Sequence, residues 1–203
     1  DNSGKSSSKP LTWKKFENRV YAVCNYFIEK ALIKPGQHVI LMYSLSEEFV
    51  IAIYACLICG IIPIPMLPFD SNRIGEDFPS FVGVIRDFDL LDIFGNYEVE
   101  KFLKTGPVGD ALKKMNHKRS KAQRIKNTAK LTKVSNIASL NSKIAKYQAA
   151  SNFRDESTVA LVWLNFTSDH YRVGATLSHK NIMGVCKVFK ETCNLSSSSS
   201  IVG

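Results

Sequence analysis

Cysteine, histidine and tryptophan are scarce in this chain, at five, four and two among 203 residues. The odd number of cysteines, most of them inside apolar periodic segments, gives no disulfide framework and suits a reducing compartment. Cys56 and Cys59 form a C-x-x-C, yet no second Cys or His pair stands at metal spacing. Packing is therefore expected of them, and neither zinc nor redox chemistry. The first ten residues, rich in Ser and Lys, lack the apolar run of a secretory signal and read as a linker. Charge is missing from residues 49–69, and about 20 such residues would cross a bilayer. Gly60, Pro63, Pro65 and Pro68 interrupt that run, so it reads as a buried helix followed by a buried strand. A hydrophobic fraction of 45 % and a charged fraction of 22 % exclude wholesale disorder, collagen and coiled coil. A start without Met and an end just after a five-serine run suggest a piece of something longer.

What is present is an alternation. Thr12 caps a helix with Trp13, Phe16, Val20, Cys24, Phe27 and Ile28 on one broad face, stopped by Pro35-Gly36. A continuous apolar strand follows at 38–43. Ser44-Leu45-Ser46-Glu47 has the spacing of a capping box and opens a helix over 48–59, and a second buried strand runs over 61–67. Asp77 caps a third helix through Phe78, Phe81, Val84, Ile85 and Phe88, before a strand at 90–94 and a helix from about Glu98. Residues 158–166 form another apolar strand, expected at the centre of the sheet, and Ser178 caps a last helix over 180–192. Helix and strand in strict turn imply an α/β layered domain with a mainly parallel sheet covered by helices.

Between residues 101 and 146 acid almost disappears: thirteen Lys/Arg face Asp110 alone, giving +12 where the rest of the chain sums to −3. A solvated loop or helix, expected to be the most mobile part of the fold over 113–146, is the first reading of this basic insertion, placed at about 104–150. Contact with an anionic membrane surface comes second. Nucleic acid comes last, because no aromatic residue follows Phe102 until Tyr147.

Three stretches carry a resemblance. Leu11-Thr12-Trp13 through Gly36-Gln37-His38-Val39, Ser46-Glu47-Glu48-Phe49, and Ala55 through Gly60-Ile61-Ile62-Pro63-Ile64-Pro65 follow the order and spacing of the opening of AMP-binding, adenylate-forming enzymes. That superfamily next has a Thr-Ser-Gly-Ser/Thr-Thr-Gly-x-Pro-Lys-Gly loop after a strand, then Leu-Thr/Ser-His-x-Asn. Leu177-Ser178-His179-Lys180-Asn181 matches the tail. The loop region reads Thr167-Ser168-Asp169-His170-Tyr171-Arg172-Val173-Gly174-Ala175, two residues short and without the early glycines and the lysine. With Asp70-Ser71-Asn72-Arg73 and residues 184–193, the chain resembles a fungal member of the disco-interacting protein 2 family, and the altered loop points to the second of its fatty acyl-AMP ligase-like domains.

The resemblance implies that residues 11–203 are the N-terminal part of such a domain, acting in lipid metabolism through diacylglycerol homeostasis. It implies ATP and Mg as cofactors of the complete domain and none for this stretch alone. Implied partners are downstream parts of the same polypeptide, a tandem sister domain, and a fatty acid or acyl lipid. The implied location is cytoplasmic, peripheral at organelle membranes such as mitochondria.

Candidate phosphate-binding residues are Thr167, Ser168, Asp169, His170, Arg172 and Gly174, read as a degenerate loop. Glycines let consecutive N–H groups turn toward an anion, and lysine adds a point charge. Asp169 brings a negative charge instead, with Arg172 as a stand-in cation. No catalytic residue or metal ligand is assigned. His179 reads as a helix-start residue, since no carboxylate lies close in sequence to orient it as a base. Two function classes follow: an acyl-activating enzyme, or a catalytically inactive module that binds lipid or a sister domain and regulates an active neighbour.

Overall fold

The computed structural model describes residues 11–70, 72–90, 92–115, 121–125, 155–166 and 172–199. Thr12 opens α1 (Trp13–Asn25), its hydroxyl accepting the Lys15 backbone N–H at 3.3 Å. The helix runs on into a π-helical turn, Tyr26–Lys30. After β1 (His38–Met42), the cap of α2 (Glu47–Cys59) is Ser46, whose side chain accepts from the Phe49 N–H at 3.3 Å. The box expected at Ser44 is thus displaced by two residues. With Ser46 extended, Glu47 and Glu48 both enter the first turn, facing the positive end of the helix dipole. Gly60, at φ 67°, ends α2 in the left-handed conformation that costs a residue without Cβ least.

β2 (Ile62–Met66) leads to α3 (Ile74–Asp87), which starts a turn before the expected cap at Asp77. The Asp70 carboxylate accepts from the Asn72 N–H at 2.9 Å, and this turn feeds the chain into the helix early. β3 (Asp92–Gly95), α4 (Tyr97–Lys104) and α5 (Gly106–Lys114) follow. Asn96 caps α4 by accepting from the Val99 N–H at 2.9 Å.

Lys121–Arg124 then forms β4, and the sheet order is β2-β1-β3-β4 with every pair parallel. β1 explains the two layers. Val39 and Leu41 face one cluster with Phe27 and Ile51 from α1 with its π turn and from α2, while Ile40 and Met42 face another with Phe81, Val84 and Val99 from α3 and α4. The α/β architecture with a mainly parallel sheet is as the sequence implies.

The basic insertion, expected as a solvated loop or helix, is helical over Gly106–Lys114 but is not wholly solvated: residues 121–124 pair with β3, from Asp92↔Lys121 to Gly95↔Arg124, and Val108, Leu112 and Ile125 are buried. Backbone pairing leaves the charged tips of Lys121 and Arg124 exposed, so composition alone does not forbid a strand there. The remainder of 113–146 beyond 115 and 121–125 lies outside the described residues.

The strand over residues 158–166 is not central. β5 (Val159–Phe166) pairs with β6 (Arg172–Ser178) in a separate antiparallel ribbon, followed by α6 (His179–Thr192). β5 lies beside β2, and its Val162 is buried in the same cluster as Ile62 and Ile64. Ile62 donates its N–H to Gln37 on the β1 side at 2.9 Å, so Pro63 and Pro65 turn their nitrogens to the outer edge. Proline has no N–H there, and the edge of β2 cannot carry a full ladder to β5. No helix of the described residues is long and apolar enough to cross a membrane.

Candidate phosphate-loop site

The candidate loop closes the β5–β6 hairpin. Phe166 pairs with Arg172, Asn165 with Val173 and Leu164 with Gly174, which leaves residues 167–171 between the strands. The loop expected over 167–174 is therefore shorter, with Arg172 and Gly174 placed on β6. Thr167, Ser168, Asp169 and His170 lie outside the described residues. Successive N–H groups of a strand point in opposite directions, so Arg172, Val173 and Gly174 cannot aim three in a row at one anion. Gly174 has a packing duty as well: a Cβ there would meet Leu164 Cδ2 at 2.8 Å, and Leu164 would have to move.

The tail of the motif is equally committed. Ser178 Oγ accepts from the Asn181 N–H at 3.2 Å, and Asn181 Oδ1 accepts from the Ser178 N–H at 3.0 Å. His179 donates its N–H to the Thr158 carbonyl at 3.1 Å and Lys180 to the Glu156 carbonyl at 2.8 Å. The first N–H groups of α6 are thus taken by protein, which removes the donors a helix start would offer to phosphate. His179 is the first residue of α6, the helix-start position its sequence context implies.

Cys24, Cys56 and Cys59 are buried between α1 and α2 as free thiols. The Cys59 thiol beside it, then burial, pushes the Cys24 thiol up, and burial pushes up Cys56. Thiols so held are poor nucleophiles. Among the described residues no group of three His, Cys, Asp or Glu could hold a metal ion. Among the described residues, Arg172 and Gly174 are held in the ladder of β6 and form no run of N–H groups turned toward one anion. A shallow groove of about 340 Å³ lies on the outside of α1 and α2, lined by Trp13, Phe16, Val20, Tyr54 and Ile58, none of them a candidate site residue.

One polar constellation escapes the sequence reading. Asp92, 9 % exposed, accepts a hydrogen bond from the Gln123 side-chain amide, and the Tyr26 hydroxyl donates to Gln123 Oε1 at 3.5 Å. Burial pushes the Asp92 carboxyl up, opposed by nearby Lys121 and by the Gln123 bond. Burial also pushes the Tyr26 phenol up, with Glu100 and Asp92 adding to it. The chain of groups ties the π-helical turn, β3 and β4 together. Its signal was one acid at the head of an otherwise apolar strand, Asp92-Ile93-Phe94.

No family model matches the chain. An uncharacterised protein of Schizosaccharomyces pombe is 34 % identical over 201 residues, which are 96 % of this chain and 13 % of that protein. The homeostatic regulator of DAG of Saccharomyces cerevisiae is 25 % identical over 199 residues, covering 94 % of this chain and 12 % of its own. Disco-interacting protein 2 homolog A of Mus musculus is 22 % identical over 179 residues, 87 % of this chain and 11 % of that one. The fatty acid AMP ligase of Legionella pneumophila superposes with a TM-score of 0.66 at 15 % identity, covering 97 % of this chain and 30 % of its own. This chain belongs to one family with the Schizosaccharomyces pombe protein and has the adenylate-forming fold. The same fold appears in McyG A-PCP complexed with phenylalanyl-adenylate, at a TM-score of 0.70 and 18 % identity over 93 % of this chain and 31 % of that one. The chain spans about an eighth or less of the length of these curated relatives.

Proposed function

We propose that the chain is the N-terminal part of a fatty acyl-AMP ligase-like domain acting in lipid metabolism, with a phosphate loop that has lost most of its hold on ATP. The observation that carries the second half is the loop itself. Asp169 stands in a loop without early glycines or lysine, and the ladder of the hairpin takes up Arg172 and Gly174. The lipid role is supported by the relative named for homeostasis of DAG and by the fatty acid AMP ligase that shares the fold. In a complete ligase of this type a carboxylate oxygen attacks the α-phosphorus of ATP, the bond to the β-phosphate breaks, and acyl-AMP and pyrophosphate result; stabilising that transfer requires preorganised donors around the phosphates.

The same loop favours a second reading, a catalytically inactive module that binds lipid or a sister domain and regulates an active neighbour. The test is calorimetric titration of ATP and of an acyl-adenylate analogue into the complete domain. Weak ATP binding with retained analogue binding supports a ligase-like pocket with a poor phosphate site. Binding of neither supports the regulatory module. Arg172→Ala is expected to leave ATP affinity near its poor starting value, because one guanidinium without an N–H cradle is solvated. A loss of tenfold or more on that change, the size of a charge-assisted contact of about 1.5–3 kcal/mol, overturns the reading of a failed site.

A further inference from the structure

We infer that the exposed basic surface formed by α4, α5 and the free edge of β4 docks against an anionic lipid bilayer. The inference goes beyond the adenylate-forming reading and does not depend on it. Lys101, Lys104, Lys113, Lys114, Lys121 and Arg124 are all exposed on these three consecutive elements. Glu98, Glu100 and Asp110 are the acids on the same elements, so the surface keeps a net positive charge. Lys104 at 2.7 Å and Arg124 at 3.5 Å share Glu100, which holds two cations over one carboxylate.

β4 is what makes this a surface of the fold and not a tail beside it. Pairing with β3 fixes Lys121 and Arg124 to the parallel sheet, and among the described residues the outer edge of β4 has no strand partner. Cations on an edge strand already discourage pairing with another sheet. The sequence around these elements is complementary to one kind of partner: residues 111–154 hold twelve Lys/Arg, four of them on α5 and β4, and no Asp or Glu. Each cation near an anionic membrane contributes roughly fivefold to partitioning.

Nucleic acid fits less well, since a single-strand binder needs open aromatic faces on which bases stack. Tyr97 lies under the Arg124 guanidinium, 5.2 Å from the ring centre, and Phe102 leans on Phe69 at 5.4 Å. Neither Phe, Trp nor Tyr occurs from residue 103 to residue 146, whereas Leu131, Val134, Ile137, Leu140 and Ile144 recur among the cations.

The test is flotation of the intact protein with phosphatidylcholine vesicles and with vesicles containing about 30 % phosphatidylserine, at low and high salt. Binding to the anionic vesicles alone, lost at high salt, is the expected result. Two paired variants sharpen it: Lys113→Gln with Lys114→Gln on α5, and Lys121→Gln with Arg124→Gln on β4. Each pair is expected to lower partitioning at least about fivefold. If the β4 pair also lowers the melting midpoint, the α5 pair, at the exposed end of its helix, decides. Equal binding to neutral vesicles, no response to the α5 pair, or tighter binding to a single-stranded oligonucleotide than to anionic vesicles overturns the inference.

Discussion

The parallel sheet with its five helices and the β5–β6 ribbon with α6 are built from similar sequence and end in different states. In the first, both faces of the sheet are sealed, and Phe27, Phe81, Phe94, Ile40 and Leu41 are wholly buried. In the second, Ala160 and Val162 are buried on β5, but α6 has no buried residue, and Met183, Val185, Val188 and Phe189 stand exposed. Amphipathic pattern is present in both. Only the first unit has its apolar side covered by the described residues, so burial energy is concentrated there and local bonds such as the capping box hold the start of α6.

The largest effect that would expose this contrast is Phe94→Ala. Its ring packs 4.9 Å from Phe27 and 6.4 Å from Tyr26 at zero exposure. Truncating such a side chain leaves a cavity and is expected to cost about 3–5 kcal/mol in urea unfolding. A loss below about 1 kcal/mol would mean that the sheet unit is not the stability core.

Ser46→Ala and Ser178→Ala test whether the two units rely equally on caps. Each removes an acceptor for one backbone N–H, at about 1 kcal/mol of local helix stability. Hydrogen exchange should show the Ser178 change confined to α6 and the Ser46 change spread into the sheet, because α2 is packed and α6 is not. Equal spreading in both would break the comparison.

Phe189→Ala, at 54 % exposed, is expected to shift stability by no more than about 0.5 kcal/mol. A core-sized loss would place that ring under a cover in solution.

The smallest effect is a change of slope. Burial raises the folded-state carboxyl of Asp92 above its unfolded value, so the native state holds the proton over a window in which the unfolded chain has released it. Asp92 therefore makes stability fall as pH rises through that window, which begins at the ordinary carboxylate range near 3.9. Asp92→Asn keeps an acceptor for Gln123 and should remove this falling component from the melting midpoint across pH 4 to 7. An unchanged slope would show that another group carries it.

From α1 to β3 the elements of the first unit were legible because each is specified locally. Thr12 carries the cap of α1 in its own side chain, and β1 is apolar on both faces because helices cover both. The candidate loop was legible as a departure from a motif, since missing glycines and lysine are visible residue by residue. Its true length was not, because the ladder that claims Arg172 and Gly174 depends on β5 and β6 meeting.

By itself the sequence determined the alternating helices and strands, the parallel sheet, and the likeness to an adenylate-forming domain, all properties of periodicity, caps and local order. Tertiary structure alone decided three things. It drew the basic residues 121–124 into the sheet beside β3. It set β5 beside the proline edge of β2 in a ribbon of its own. It also joined Asp92, Gln123 and Tyr26 across nearly a hundred residues of chain. In each case the deciding partner is remote in sequence, and a hydrogen bond or a missing N–H on that partner settles what local propensity leaves open.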